Sequence, residues 1–212
     1  MIMKTILLKG LISLLLAFSS SQAMSDSKPA KLAICVTCHG VDGRGNEVIG
    51  APKIAGMEAW YIRDQLQGFQ KEYRGIHASD ENGREMKAMA DYLTHNEIDA
   101  LARWLIKWPV DVTPATISGD AAKGRKLYAD CATCHGDHGQ GIATLRSPAL
   151  AGQNDWYLLS QLRNFSSGAR GSHPDDNYGQ QMKLMMNTLT DDQSMRDVVS
   201  FIQALPVPGN AK

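Results

Sequence analysis

The chain has no net charge to offer a polyanion: its 22 Lys and Arg balance 22 Asp and Glu over 212 residues. A basic surface is the electrostatic footprint of nucleic-acid binding, so that class of partner is excluded. Beyond residue 23 no apolar run approaches the roughly 20 residues that a membrane-spanning helix needs. No stretch alternates strongly enough between apolar and polar residues to be a strand, which removes the sheet architectures. There is no Ser/His/Asp set, no glycine-rich phosphate loop and no acidic cluster inside a motif. Cysteine is scarce too: 4 in the whole chain, none outside two short C-x-x-C segments.

What is present begins with a leader. In "MIMKTILLKGLISLLLAFSSSQA" the only charges are Lys4 and Lys9, and Leu11 to Phe18 is almost wholly apolar. Ser21-Gln22-Ala23 places small residues where a signal peptidase reads them. Residues 1–23 are expected to be a signal peptide cleaved after Ala23. A retained anchor is the alternative, and the apolar run is short for it. Cleavage removes two lysines and no acid, leaving a mature chain of net charge −2 that is expected to be exported and soluble.

The chain is also a duplication. Displaced by 96 residues, it matches itself without a gap: "CVTCHG" (35–40) falls on "CATCHG" (131–136), and "AWYIRDQLQGF" (59–69) on "DWYLLSQLRNF" (155–165). Pro52 falls on Pro148, Arg74 on Arg170, Met86 on Met182 and Met89 on Met185. A period this long marks a duplicated domain; solenoid repeats recur at about 20–50 residues. "PVDVTPATISG" (109–119) reads as a linker, which divides the mature chain into residues 24–112 and 113–212. Helices are expected over 58–71, 120–131 and 154–166, where apolar residues recur at helical spacing. Capping boxes at Thr94–Glu97 and Thr190–Gln193 should open a last helix in each half. The segments 40–56 and 136–152 read as loops.

Four cysteines in an exported chain usually mean two disulfides, but here each pair is followed at once by a histidine. C-x-x-C-H is the attachment signature of c-type haem. The two thiols of each pair, Cys35 and Cys38 or Cys131 and Cys134, add to the two vinyl groups of one haem. The adjacent histidine, His39 or His135, then serves as the proximal iron ligand. Zinc also takes Cys-x-x-Cys pairs, yet has no need of the histidine twice. A redox dithiol is disfavoured because no strand precedes either pair. Two covalently bound haems c are therefore expected.

The second axial position decides between a closed electron carrier and an open, reactive iron. The candidates repeated in both halves are Met86/Met182, Met89/Met185 and His77/His173. Methionine on a helix is more often core packing, and one methionine of each pair must be just that. Met86 follows "DENGRE" and Met182 follows "DNYGQQ", which read as loops, where a side chain can reach a buried iron. Met86 and Met182 are preferred on that ground. His77 and His173 sit in polar segments that read as exposed, and His95 and His138 have no counterpart histidine and read as surface residues.

With these motifs in place, the sequence resembles the dihaem cytochromes c of the cytochrome c4 type over nearly the whole mature chain. The resemblance rests on "CVTCHGVDGRG" and "CATCHGDHGQG", "PKIAG" and "PALAG", "WYIRDQL" and "WYLLSQL", and "MKAMADYLT" and "MKLMMNTLT". It implies an all-α chain of two tandem class I cytochrome c domains, each with His/Met iron. It implies a periplasmic carrier that takes single electrons from a redox protein donor and passes them to an acceptor such as a membrane terminal oxidase. By the same resemblance the carbonyls of Pro52 and Pro148 hold the ligating histidines, and Trp60, Tyr61, Arg74, Trp156, Tyr157 and Arg170 lie near the haem propionates. Two other readings keep the cofactors: a cytochrome subunit of an exported dehydrogenase or oxidase, and an enzyme of dihaem peroxidase or sulfur-oxidising type. In one respect the halves depart from each other. Residues 120–130 give the second half a helix ahead of its cysteines, with Gly124 and Tyr128 placed to pack on the last helix, whereas the first half has only "SDSKPAK". The first haem is therefore expected to be more exposed and its domain less stable.

Overall fold

Side-chain caps fix where the helices begin. The Thr94 hydroxyl accepts from the Glu97 amide and the Glu97 carboxylate accepts from the Thr94 amide, so a capping box opens α4 (His95–Leu105). Asp80, Asp120 and Asp176 cap α3 (Glu81–Asp91), α5 (Ala121–His135) and α7 (Asn177–Met185) in the same way, each accepting backbone amides that the first turn leaves unpaired. The remaining helices are α1 (Leu32–His39), α2 (Ala59–Gln70), α6 (Asp155–Ser167) and α8 (Asp192–Gln203). The computed structural model describes residues 27–207, so the leader expected at 1–23 lies outside the described residues. Among those residues the chain is all-α, with two isolated β-bridges, Asn46 to Ala51 and Ile142 to Ser147. None of these helices is long and apolar enough to cross a membrane.

Each half buries its own core. In the first, Ile62, Leu66 and Phe69 of α2 pack with Ile98, Leu101 and Leu105 of α4 and with Leu32 of α1. In the second, Leu158 and Phe165 of α6 pack with Met195, Val198 and Ile202 of α8 and with Tyr128 of α5. The duplication is not gapless. From α2 to α6 the offset is 96, but Ile98, Leu101, Ala102 and Leu105 correspond to Met195, Val198, Val199 and Ile202, an offset of 97. The extra residue enters ahead of α8, after a 3₁₀ turn at Met186–Thr188. The cap of α8 is accordingly Asp191 with Ser194, one residue on from the box expected at Thr190.

The halves are docked on each other about a pseudo-two-fold relation. Asn154 Oδ1 accepts from the Lys53 amide at 2.7 Å, and at the matching place Glu58 Oε1 accepts from the Ala149 amide at 3.3 Å. Lys53 is 2% exposed, and its ammonium donates to the carbonyls of Asp111 (2.6 Å) and Gly152 (2.8 Å). Burial draws its pKa below the usual lysine value. The stretch 109–119 connects the halves but is no free tether. Asp155 accepts from the amides of Thr116 and Ile117, and Thr113 donates its hydroxyl to Gln153 O.

Candidate functional site

The last turn of α1 presents Cys35, Cys38 and His39, and the last turn of α5 presents Cys131, Cys134 and His135. None of the four cysteines is in a disulfide. Burial raises the Cys35 pKa and pushes the Cys131 thiol up to about 11, with Asp130 adding to the latter, so both are thiols at neutral pH in the apoprotein. Behind each histidine the chain turns back through a glycine loop. Gly45 (φ 91°) and Gly141 (φ 78°) donate to His39 O and His135 O, where a Cβ would crowd the amides of Lys53 and Ala149.

That return brings the carbonyl of Pro52 to 2.7 Å from His39 Nδ1, and the carbonyl of Pro148 to 2.8 Å from His135 Nδ1. A carbonyl can only accept, so Nδ1 carries the proton and Nε2 keeps its lone pair. Burial lowers both histidine pKa values and holds the rings neutral. Each half thus contains a buried, oriented imidazole with one bare nitrogen, one turn from a pair of thiols.

Each histidine lines a cavity, of about 350 Å³ in the first half and about 370 Å³ in the second. Met86 and Met89 line the first cavity, and Met182 and Met185 the second. Met86 and Met182 also pack against their cores, whereas Met89 is 40% exposed. The preferred pair does not sit on loops: α3 and α7 begin at Glu81 and Asn177, so both methionines project from within a helix. His77 is exposed, while His173 is half-buried with its ring 4.8 Å from Tyr73 of the other half.

Between the cavities stand Tyr61, Gln65 and Arg74 from one half and Tyr157, Gln161 and Arg170 from the other. Arg74 donates to Gln65 Oε1 (2.6 Å) and across the interface to Gln161 Oε1 (3.1 Å). Arg170 does the reverse, donating to Gln161 Oε1 (2.8 Å) and across to Gln65 Oε1 (3.1 Å). Burial, and then the neighbouring Arg74, pull the Arg170 pKa below its ordinary value. The Nε of each arginine is buried without a hydrogen-bond partner. Of the other residues expected here, Trp60 lines the second half's cavity, with its indole N–H buried and unpaired. Trp156 is not among the lining residues of either cavity and stacks edge-on with Tyr157. Gln65 and Gln161 escaped the sequence reading, although they are identical residues at the repeat offset.

These residues fit haem c. The thiols and the bare imidazole nitrogen share one wall of an apolar cavity. The two buried guanidiniums, each with an unused donor, call for anions, since burying like charges without compensation is costly.

A cytochrome c family model matches residues 30–107 and 121–206. The chain belongs to the cytochrome c family. It is 31% identical to the thiosulfate dehydrogenase electron acceptor of Stutzerimonas stutzeri, over 84% of this chain and 87% of that protein. It is 29% identical to cytochrome c4 of Azotobacter vinelandii, over 93% of this chain and 99% of the other. Among solved structures, cytochrome c4 of Acidithiobacillus ferrooxidans superposes with a TM-score of 0.67 at 28% identity, covering 82% of this chain and 99% of that one. A thiosulfate dehydrogenase from Marichromatium purpuratum gives a TM-score of 0.66 at 28% identity, covering 84% of this chain but 38% of the dehydrogenase. This cytochrome is a dihaem, cytochrome c4-like electron-transfer protein. It binds two haems c, and Cys35, Cys38, Cys131 and Cys134 supply the two C-x-x-C-H attachment motifs.

Proposed function

We propose that this cytochrome is a periplasmic carrier of single electrons, exported by the leader at 1–23, with both irons closed by histidine and methionine. His39 and Met86 hold the first iron, and His135 and Met182 the second. Bound haem supplies one-electron exchange between Fe(III) and Fe(II). The chain does the rest. Pro52 and Pro148 fix the ring and raise its basicity through the Nδ1 hydrogen bond, and the buried cores exclude water. Arg74 and Arg170, with Tyr61 and Tyr157, meet the propionate carboxylates. The single observation that carries the reading is the same Nδ1-to-proline geometry in both halves, each facing a cavity that has a methionine in its lining.

The donor is inferred to be an exported dehydrogenase, with a terminal oxidase or another redox protein downstream. Two observations favour a thiosulfate-oxidising enzyme as donor. One curated relative is named as the electron acceptor of such an enzyme. The structural relative from Marichromatium places a similar module within the enzyme's own chain.

Visible spectroscopy of the holoprotein tests the ligand set. The oxidised form should show the weak red methionine–iron band at two-haem intensity, and the reduced form should not bind carbon monoxide. Met86→Ala or Met182→Ala should each halve the band and open one haem to carbon monoxide, whereas Met89→Ala and Met185→Ala should not. Carbon monoxide binding by the reduced wild type would overturn the closed-carrier reading in favour of an enzyme.

A further inference from the structure

Tyr61, Gln65, Arg74, Tyr157 and Gln161 line both cavities, and Arg170 closes the same cluster from the second half. The wall between the two sites is therefore one shared group of side chains. Within it each glutamine oxygen accepts from two guanidiniums, one from its own half and one from the other, at 2.6–3.1 Å. A guanidinium only donates, so each Oε1 is committed to this face. Neither arginine can turn toward its own cavity without disturbing the glutamine that also holds the other arginine.

We propose that Gln65 and Gln161 are positioning residues that yoke Arg74 to Arg170, so that a change at one haem site is felt at both. The proposal rests on the haem reading above, in which the arginines meet the propionates. Without the yoke, each guanidinium would keep only a tyrosine of the other half, Tyr157 for Arg74 and Tyr61 for Arg170, and the acceptor that the two like charges share would be gone. With it, the electrostatic environment of either iron depends on a glutamine from each half.

The test is a redox titration of the holoprotein followed by proton NMR, in which the shifted haem methyl signals report each haem separately. In Gln65→Met the shared acceptor is lost while length and volume are kept. The ratio of oxidised to reduced form at a fixed applied potential should change at both haems, on the order of threefold each, as expected for groups in one hydrogen-bond network. Gln65→Glu keeps an acceptor for both arginines and adds a negative charge, which stabilises Fe(III). Both haems should then become harder to reduce, by at least about the same factor. A change confined to the first haem, or no change, in either variant overturns the proposal. Should Gln65→Met fail to fold, Gln161→Met decides by the same criterion with the halves exchanged, since it removes the other shared acceptor without adding a charge. The wild-type spectrum keeps the two ideas separate: a wild type without the methionine–iron band sinks the His/Met reading. A wild type with the band, joined to a one-haem response, sinks the yoke alone.

Discussion

The two halves build the same haem cradle on unequal foundations. In the second half the cysteines end a helix of 15 residues, and in the first a helix of 8. The longer α5 lies along α8: Gly124 abuts the Asp197 carbonyl so closely that a Cβ would overlap it, and the Tyr128 ring sits 5.2 Å from Phe201. The repeat puts Lys28 and Leu32 at those places in the first half, and α1 begins only at Leu32. Cys38 is exposed where Cys134 is half-buried. The histidine, the proline carbonyl and the cavity are nonetheless equivalent. The cradle therefore needs only the last turn of the cysteine helix and the glycine loop, and the extra turns of α5 are free to set stability. From this we expect the first half to unfold before the second in denaturant, followed by far-ultraviolet circular dichroism and by the haem absorbance.

The largest effect should come from reversing that order. Gly124→Leu drives a branched side chain into the Asp197 backbone and the Phe201 Cβ. Backbone cannot yield as a flexible side chain can, so α5 must lift from α8. The second half should lose about 3 kcal/mol and become the first to unfold. An unchanged order of unfolding would mean that α5 does not set the difference between the halves.

The same contact gives the halves different responses to alkali. Tyr128 is 2% exposed and donates its hydroxyl to Gly136 O at 2.8 Å. Burial is the main cause that pushes its pKa from 10.0 up to about 12. A pKa raised on folding stabilises the native state fully below the unfolded value and loses that contribution as pH rises through the folded one. The second half should therefore weaken between pH 10 and about 12 by as much as roughly 2 kcal/mol. The first half, with Leu32 at this place, lacks this contribution, and its own loss in alkali must come from elsewhere, as from Tyr61, whose pKa burial also raises. Tyr128→Phe, titrated alongside, should flatten the difference; a slope that persists in the variant would assign it to other groups.

What the sequence disclosed, and what it hid, follows from the range of the forces involved. C-x-x-C-H is local covalent chemistry and shows itself in five letters. The apolar period of Ile62, Leu66 and Phe69 likewise announces a helix. "DENGRE" and "DNYGQQ" look like loop because Asn and Gly are weak helix formers. Yet Asp80 and Asp176 cap helices there, and Gly83 and Gly179, having no Cβ, leave room for those capping carboxylates. The single-residue insertion ahead of α8 was invisible because Thr190 still aligns with Thr94, although Asp191 does the capping. Gln65 and Gln161 were hidden for a deeper reason. On an isolated amphipathic helix they belong to the polar face, and only the docking of the two halves makes that face an interior.

The smallest effect concerns a single backbone angle. Where α2 and α6 end, the chain turns through the left-handed region at equivalent residues: Gly168 (φ 79°) in the second half and Glu72 (φ 64°) in the first. The turn is the same in both, with Glu72 N donating to Phe69 O and Gly168 N to Phe165 O. For a residue with a Cβ this conformation costs about 1–2 kcal/mol. The Glu72 carboxylate recovers little, since its partner Lys87 is 3.7 Å away and the Glu72 side chain is 61% exposed. Glu72→Gly should therefore relieve strain at the price of the greater freedom of glycine in the unfolded chain, about 0.5–1 kcal/mol. The net gain is about 0.5–1 kcal/mol, confined to the first half, so the two unfolding transitions should draw together. The reciprocal Gly168→Glu should weaken the second half by about 1–2 kcal/mol and narrow the gap from the other side. If Glu72→Gly destabilised the first half, the glutamate would have to be holding something there that outweighs its strained backbone.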